Sequence, residues 1–368
     1  MWDVIVVGAR CAGATVALRF ARSGRSVLLL DKSRAGSDTL SSHVLMPPAI
    51  AALDELGLLV DVEALGAPRV HTMLVEFGDR AYPGPVGGQH GFLMSVRRTT
   101  LDPLLVDHAR RAGATYLAET RVDELVWGDG RVTGVGGRGP GGRLIDERAR
   151  LVIGADGRHS VVARKVAAEE YNVLVCESGA FYAYLQGLGP TVAGEDAVQF
   201  ASGPECDILC CPCNEDAHMI LLSVSGDEFT DLLAAGSAGF DARIQTVPTL
   251  APRLSGARRV SKVYSATPRE LRGFFRHPYG PGWALAGDAG YYAHPASANG
   301  IADAFRASRY IHELVERAWV EGSPSETYLD EYRATRDEES IGPYHFSYRL
   351  GKVNPFSDPE IAAAVTGQ

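Results

Sequence analysis

The chain has 368 residues, enough for two ordinary domains or one large composite domain. Hydrophobic residues make up 46% and charged residues 22%, a globular composition that argues against disorder. The formal charge is −9 with no run of Lys and Arg, which points away from nucleic acid and anionic bilayers, and no apolar run approaches the ~20 residues of a membrane span.

Residues 4–7 are a continuous apolar run, as a strand buried on both faces would be. The run is too short for an export signal, so a cytoplasmic location is expected. A turn at 8–13 follows, then an Ala-rich helix over 14–22 and a second buried strand over 26–30 that ends at Asp31. This opening predicts a parallel, doubly wound sheet. Residues 36–48 read as irregular, 49–56 as a helix stopped by Gly57, and 70–82 as period-two strands. An amphipathic helix is expected over 99–112, and strands over 114–125 and 131–135 joined by Gly128-Asp129-Gly130. Residues 136–142 read as a glycine-rich loop, and 151–153 as a buried strand ending at Gly154-Ala155-Asp156-Gly157.

From 171 to 275 the pattern changes to short alternating segments at 181–188, 208–213 and 218–224, with a helix near 240–249. This reads as an antiparallel sheet. The α/β pattern returns at 283–286, a long helix covers 301–320, and the tail is helical over 327–336 and then broken by proline. The cluster Cys206, Cys210, Cys211 and Cys213 lacks the distant second pair that zinc sites use, so it reads as a strand carrying small apolar thiols and no metal is expected.

Three motifs carry chemistry. Gly8-Ala9-Arg10-Cys11-Ala12-Gly13 joins a strand to a helix, and Asp31, followed by Lys32, ends the second strand. In a dinucleotide fold the first glycine makes the tight turn, the last permits close helix packing, the helix start faces a pyrophosphate, and the acid accepts ribose hydroxyls. Arg10 stands where the middle glycine is usual, so it either points away or brings its own charge to the phosphates. The second motif is Asp156-Gly157-Arg158-His159, with Arg158 and His159 read as phosphate contacts or ion pairs. The third is Gly287-Asp288 with Pro295 and Asn299-Gly300-Ile301, where a helix start presents free N–H groups.

Together with Arg98-x-x-Leu101-Asp102, these motifs resemble the FAD-dependent group A flavoprotein monooxygenases, the p-hydroxybenzoate hydroxylase-like enzymes that share a superfamily with geranylgeranyl reductases and flavin halogenases. The resemblance implies a Rossmann-like FAD-binding domain, discontinuous in sequence, with an inserted antiparallel substrate sheet and C-terminal helices. The expected division is 1–75, 96–166 and 276–325 for FAD, 76–95 and 167–275 for substrate, and 326–368 for the tail. It implies that Asp31 holds the adenosine ribose, that Arg98 lies by the linking chain and phosphates, and that Asp156 belongs to a motif shared by FAD and NAD(P)H contacts. Asp288 would bond the ribityl or pyrophosphate region, and Gly300 and Ile301 would offer N–H groups to the flavin N1–C2=O edge.

Close relatives are expected to carry Asp-Pro where this chain has His294-Pro295, so His294 is a candidate catalytic proton donor or substrate contact. His43, in the loop after the second strand, is a second catalytic candidate. Tyr182, Tyr184 and Tyr292 are candidate substrate contacts, their alternative being core packing. Trp2, Trp127, Trp283 and Trp319 are isolated, so no Trp-x-Trp-x-Ile-Pro motif marks a halogenase. The implied activity is reduction of FAD by NAD(P)H, reaction with O2, and oxygen transfer from a flavin C4a-hydroperoxide to a small hydrophobic or aromatic, natural-product-like substrate of secondary metabolism. A C=C reductase and a flavoprotein using FAD as a non-redox scaffold remain open at this stage.

Overall fold

The computed structural model describes residues 1–366 apart from 40, 42, 195 and 196. Its first layer is a parallel sheet in the order Trp283–Leu285, Leu144–Gly154, Trp2–Val7, Val27–Leu30, Thr115–Leu117, with Tyr279–Gly280 antiparallel at one edge. The apolar runs of the first two strands are buried on both faces, as their composition predicts. Val4, Val6, Val27, Leu29, Leu151 and Ile153 pack under the Cys11–Arg22, Arg98–Arg111 and Gly300–Val320 helices. Their alternates Ile5, Val7, Leu28, Leu30 and Val152 meet Val122, Leu125, Val132 and Val135 of an antiparallel meander on the other face.

That meander corrects two expectations. The stretch 114–125 is two strands, Thr115–Leu117 and Arg121–Gly128, which belong to different layers and are separated at Glu119 by a left-handed residue. Residues 136–138 are not loop but the end of strand Arg131–Arg138, and only Pro140–Gly142 turns. The glycines are there because the neighbours come too close for a side chain: a Cβ on Gly134 would lie 2.1 Å from the Glu147 carbonyl oxygen, and one on Gly137 2.0 Å from that of Arg121.

The second sheet is mostly antiparallel and runs Arg258–Arg259, Ser178–Gln186, Ala217–Ser225, Cys206–Cys213, Val198–Ser202, Thr72–Phe77, Arg80–Pro85. Thr72–Phe77 pairs in parallel with Val198–Ser202, so the second sheet takes in residues from 72 and a boundary at 75/76 would cut a strand. The cysteines alternate as a strand requires: Cys206 and Cys210 enter one core and Cys211 and Cys213 another. Among the described residues no group of three or more His, Cys, Asp or Glu could hold a metal ion. The helix expected near 240–249 is Gly226–Gln245, broken at Gly236. It buries Phe229, Phe240 and Ile244, and the break at Gly236 splits its apolar period into two short stretches.

The final long helix, Glu326–Leu350, runs through Pro343 instead of ending there. Tertiary anchors on both sides of the proline hold it. Tyr332 and Arg336 donate to the carbonyls of Leu285 and Gly290, at 3.1 Å each. Tyr344 and Tyr348 donate to those of Asn172 and Leu271, at 2.6 Å each. Ser178, at the start of the Ser178–Gln186 strand of the second sheet, donates to the carbonyl of Gly351 at 2.7 Å. The helix thereby ties the two layers together. No helix among the described residues is long and apolar enough to cross a membrane.

Candidate active site

Four parallel strands end at one edge of the first sheet, and their register aligns Val7 with Leu30 and Gly154, and Gly154 with Leu285. The residues that follow, Gly8, Asp31, Asp156 and Asp288, are therefore delivered to a common rim, where open α/β sheets bind ligands. Gly8 has φ +102°, and a Cβ on it would lie 2.4 Å from the Ala155 carbonyl oxygen. The Asp31 carboxylate accepts from the Ala9 N–H at 2.7 Å and the Ser33 N–H at 2.8 Å, which fixes it between the first two strand ends. Asp156 accepts from the Val161 N–H at 2.6 Å, so one oxygen caps the short Val161–Lys165 helix. Burial raises the pKa of Asp156 and of Asp288; at Asp288 the Arg158 and Arg98 guanidiniums oppose the rise.

Two long helices begin at this rim without a side-chain cap, Cys11–Arg22 and Gly300–Val320. The first bonds within them are Ala14 N–H to Arg10 O at 2.8 Å and Asp303 N–H to Asn299 O at 2.9 Å. The N–H groups of Cys11 and Ala12, and of Gly300 and Ile301, are thus without helical partners. Ala298 enters the second helix from the left-handed region, φ 55°.

A cavity of about 700 Å³ lies against both helix starts. Gly8, Arg10, Cys11, Ala12, Asp31 and Lys32 line it, as do Arg98, Asp156, Gly157 and Asp288. Pro295, Asn299, Gly300 and Ile301 line it from the second helix start. Of the proposed cofactor residues, Gly13 and Gly287 stand behind the wall and act by packing. A Cβ on Gly13 would lie 1.7 Å from the Gly8 carbonyl oxygen, and one on Gly287 2.8 Å from Ala12 Cβ. Arg10 keeps its side chain at the cavity, 3.7 Å from the Asp102 carboxylate. Arg98 is buried and grips Asp102 through two bonds, at 2.8 and 3.1 Å. Arg158 pairs with Glu270 at 3.3 Å and donates to the Tyr292 hydroxyl at 3.4 Å.

The cavity continues to the second sheet, where Ala180, Tyr182, Leu221, Ala266 and Leu271 form an apolar wall and Tyr292 joins from the rim. Tyr182 stacks on Tyr264 with ring centres 4.6 Å apart and donates to the Thr39 carbonyl at 2.9 Å. Tyr184 does not reach the cavity. Its hydroxyl bonds His43 Nε2, and the Arg97 guanidinium lies 4.5 Å from its ring centre. His43 does not reach the cavity either, which corrects its candidacy as a catalytic group. It is fully buried at φ 58°, and burial together with Arg98 and Arg97 holds its pKa well below 6.5, so it is a neutral tie between loop and sheet.

His294 does line the cavity, in a state other than the expected one. It is 5% exposed, and Nδ1 accepts from the Ala296 N–H at 3.2 Å, which assigns the proton to Nε2. Tyr348 meets the ring edge-on at 5.4 Å, and a Cβ on Gly351 would lie 2.2 Å from its Cε1. Burial pushes the pKa down to about 4, so the side chain is neutral at pH 7 and carries no titrating proton to donate there. Several cavity residues had no place in the expectations from sequence, among them the apolar wall and Asp303, the acidic residue in the first turn of Gly300–Val320. The available signal was an acid three positions after a helix start facing a cofactor.

A parallel sheet with an anion-accepting cavity at its carboxyl rim defines a dinucleotide-binding α/β protein. A model of the FAD binding domain family matches residues 1–229, and the chain belongs to that family. It is 36% identical over 180 residues to 6-methylpretetramide 4-monooxygenase of Streptomyces rimosus, covering 46% of this chain and 41% of that protein. It is 31% identical over 175 residues to digeranylgeranylglycerophospholipid reductase 2 of Methanothermobacter thermautotrophicus, covering 46% and 42%. The chain thus spans about two fifths of the length of these relatives. Among solved structures it resembles the myxobacterial chondrochloren halogenase CndH, with TM-score 0.85, 18% identity and 100% and 90% of the two chains covered. It also resembles PqsL of Pseudomonas aeruginosa in complex with 2-aminobenzoylacetate, with TM-score 0.83, 20% identity and all of both chains covered. At these identities the likeness is one of fold.

Proposed function

We propose that the chain holds FAD and is an NAD(P)H-dependent monooxygenase that hydroxylates or epoxidises a small, uncharged apolar or aromatic substrate. The observation that carries this reading is the continuity of one cavity from the uncapped helix starts and acids of the first sheet to the apolar wall of the second. A dinucleotide fits the first part. Cys11 and Ala12 N–H groups, with Arg10 and Arg98, suit phosphates. Asp31 keeps free lone pairs for ribose hydroxyls, and Asp288, whose carboxylate takes no hydrogen bond from the described residues, suits a hydroxyl of the linking chain. Gly300 and Ile301 N–H groups would hold negative charge at the ring edge. When bound, FAD supplies the electron transfer and the activation of O2.

The chain's own part is to position and to exclude water. Ala180, Leu221, Ala266 and Leu271 offer the substrate no charge, and Tyr182, Tyr264 and Thr39 brace one another behind it. The deciding experiment is product mass under ¹⁸O2 with NAD(P)H and candidate apolar substrates. One ¹⁸O atom per product supports the reading, and full turnover without oxygen overturns it. The reductase relative favours the second reading, saturation of a C=C bond, which predicts the opposite result.

A further inference from the structure

We infer that Asp303 takes up a proton from solvent when the bound flavin is reduced, so that the charge arriving at the Gly300–Val320 helix start is offset by charge lost from the protein. The inference rests on the FAD reading above.

The geometry sets Asp303 between two spaces. It lines the large cavity, three residues and ~4.5 Å of helix rise beyond Gly300, whose N–H would face the ring edge of a bound flavin. It also lines a small second cavity behind that wall, together with Tyr291, Arg306 and Arg336. From there a polar chain leads outward. Arg306 donates to Asp303 at 2.7 Å and to Ser340 at 2.9 Å, and lies 3.4 Å from Glu339. Glu339 accepts from the Tyr310 hydroxyl at 2.8 Å, and its side chain is 39% exposed against 15% for Asp303. The acid therefore sits at the helix start, 15% exposed itself and one ion-paired residue away from the exposed Glu339, so that water reaches it directly beside Arg306.

The charges that face Asp303 leave it poised. Burial disfavours its ionised form, Asp288 from the rim turn and Glu339 from the last helix add repulsion, and Arg306 on its own helix opposes them. Tyr291, on the adjoining strand, is buried and keeps its proton. The resulting pKa is raised to about 6, so Asp303 is mostly ionised at pH 7 while the ring is oxidised. Hydride from NAD(P)H brings two electrons and one proton to the neutral ring, which then carries one negative charge. That charge, at the same helix start, raises the Asp303 pKa further. Asp303 then gains one proton from water, and the summed charge of ring and acid is unchanged.

The test is the midpoint potential of the bound FAD from pH 5.5 to 9, read as protons per two electrons, with reduced-minus-oxidised infrared spectra. The wild type is expected to take up ~2 protons per two electrons between about pH 7 and the raised pKa, and ~1 once pH exceeds it. Asp303→Asn is expected to take up ~1 throughout, and Asp303→Glu to restore the steeper region. A protonated-carboxyl band should appear on reduction of the wild type and be missing from Asp303→Asn. A one-proton line in the wild type, or the same slope and band in Asp303→Asn, overturns the inference while leaving the FAD reading intact. Where Asp303→Asn fails to hold FAD, the wild-type band decides: its absence overturns the inference, and its shift in Asp303→Glu supports it. A wild-type protein that binds no FAD overturns both.

Discussion

Replacing His294 by Asn separates a buried neutral histidine from a titrating one. Asn offers Ala296 N–H an acceptor at the same turn and removes the ring. In the native protein the imidazole resists protonation down to about pH 4, whereas in the unfolded chain it takes a proton near 6.5. The unfolded state therefore binds more protons between those values. Stability from this group is complete above pH 6.5 and drains as pH falls toward 4. Its full size is about 3 kcal/mol, and about 2 kcal/mol of it is lost between pH 7 and pH 4.5. His43, also held neutral, adds loss of the same sign, while Asp303 and Asp207, raised to about 6 and 7, work oppositely. These groups are common to both proteins and cancel in the comparison. Urea unfolding of wild type and His294→Asn at pH 7 and pH 4.5 gives the four free energies. The wild type should lose about 2 kcal/mol more than the variant across that interval. Losses that agree within about 0.5 kcal/mol would refute a buried neutral His294. The same reasoning expects no inflection from His294 between pH 6 and 8 in the rate profile.

Gly13→Ala should cost at least ~2 kcal/mol and release flavin, because its Cβ would land 1.7 Å from the Gly8 carbonyl oxygen; thermal unfolding and flavin retention check it. Asp288→Ala should leave the fold intact and weaken FAD binding by ~10- to 100-fold in a titration of apoprotein, since it removes one charge-assisted bond. Asp31→Ala should lower both stability and FAD affinity, because the Ala9 and Ser33 N–H groups lose their acceptor with it. Arg98→Met should destabilise by ~3 kcal/mol by leaving the buried Asp102 only the more distant Arg10 guanidinium, and Arg98→Met with Asp102→Leu should recover much of that in a double-mutant cycle of urea unfolding.

The parallel half of the fold was readable because buried strands announce themselves as apolar runs, and each run ended at a glycine or an acid. Gly8, Asp31, Asp156 and Asp288 could each be placed at the end of a strand from spacing, while their shared role came from the resemblance to a flavoprotein family. What spacing could not carry was rotation and depth. Tyr182 and Tyr184 share a strand face, yet only the first reaches the cavity, because His43 and Arg97 enclose the second. His294 was placed correctly along the chain, but its charge state depends on Tyr348 and Gly351, more than 50 residues away. Gly137 read as loop because a strand glycine imposed by a close neighbour looks the same in sequence as a turn glycine. Asp303 looked like the polar face of an amphipathic helix, since sequence does not reveal that the first turn of that helix is indoors.

The last long helix grips the structure largely by its main chain: Leu285 and Gly290 beside the rim of the first sheet, Leu271 in the apolar wall of the cavity, and Asn172 on a neighbouring strand. A carbonyl is present whatever side chain its residue bears. Mutations that reshape the apolar wall of the cavity therefore leave these handholds in place, and the two layers keep their mutual pose while the pocket between them changes. A cavity framed in this way can be reshaped one wall residue at a time without first re-solving how the two halves of the fold meet.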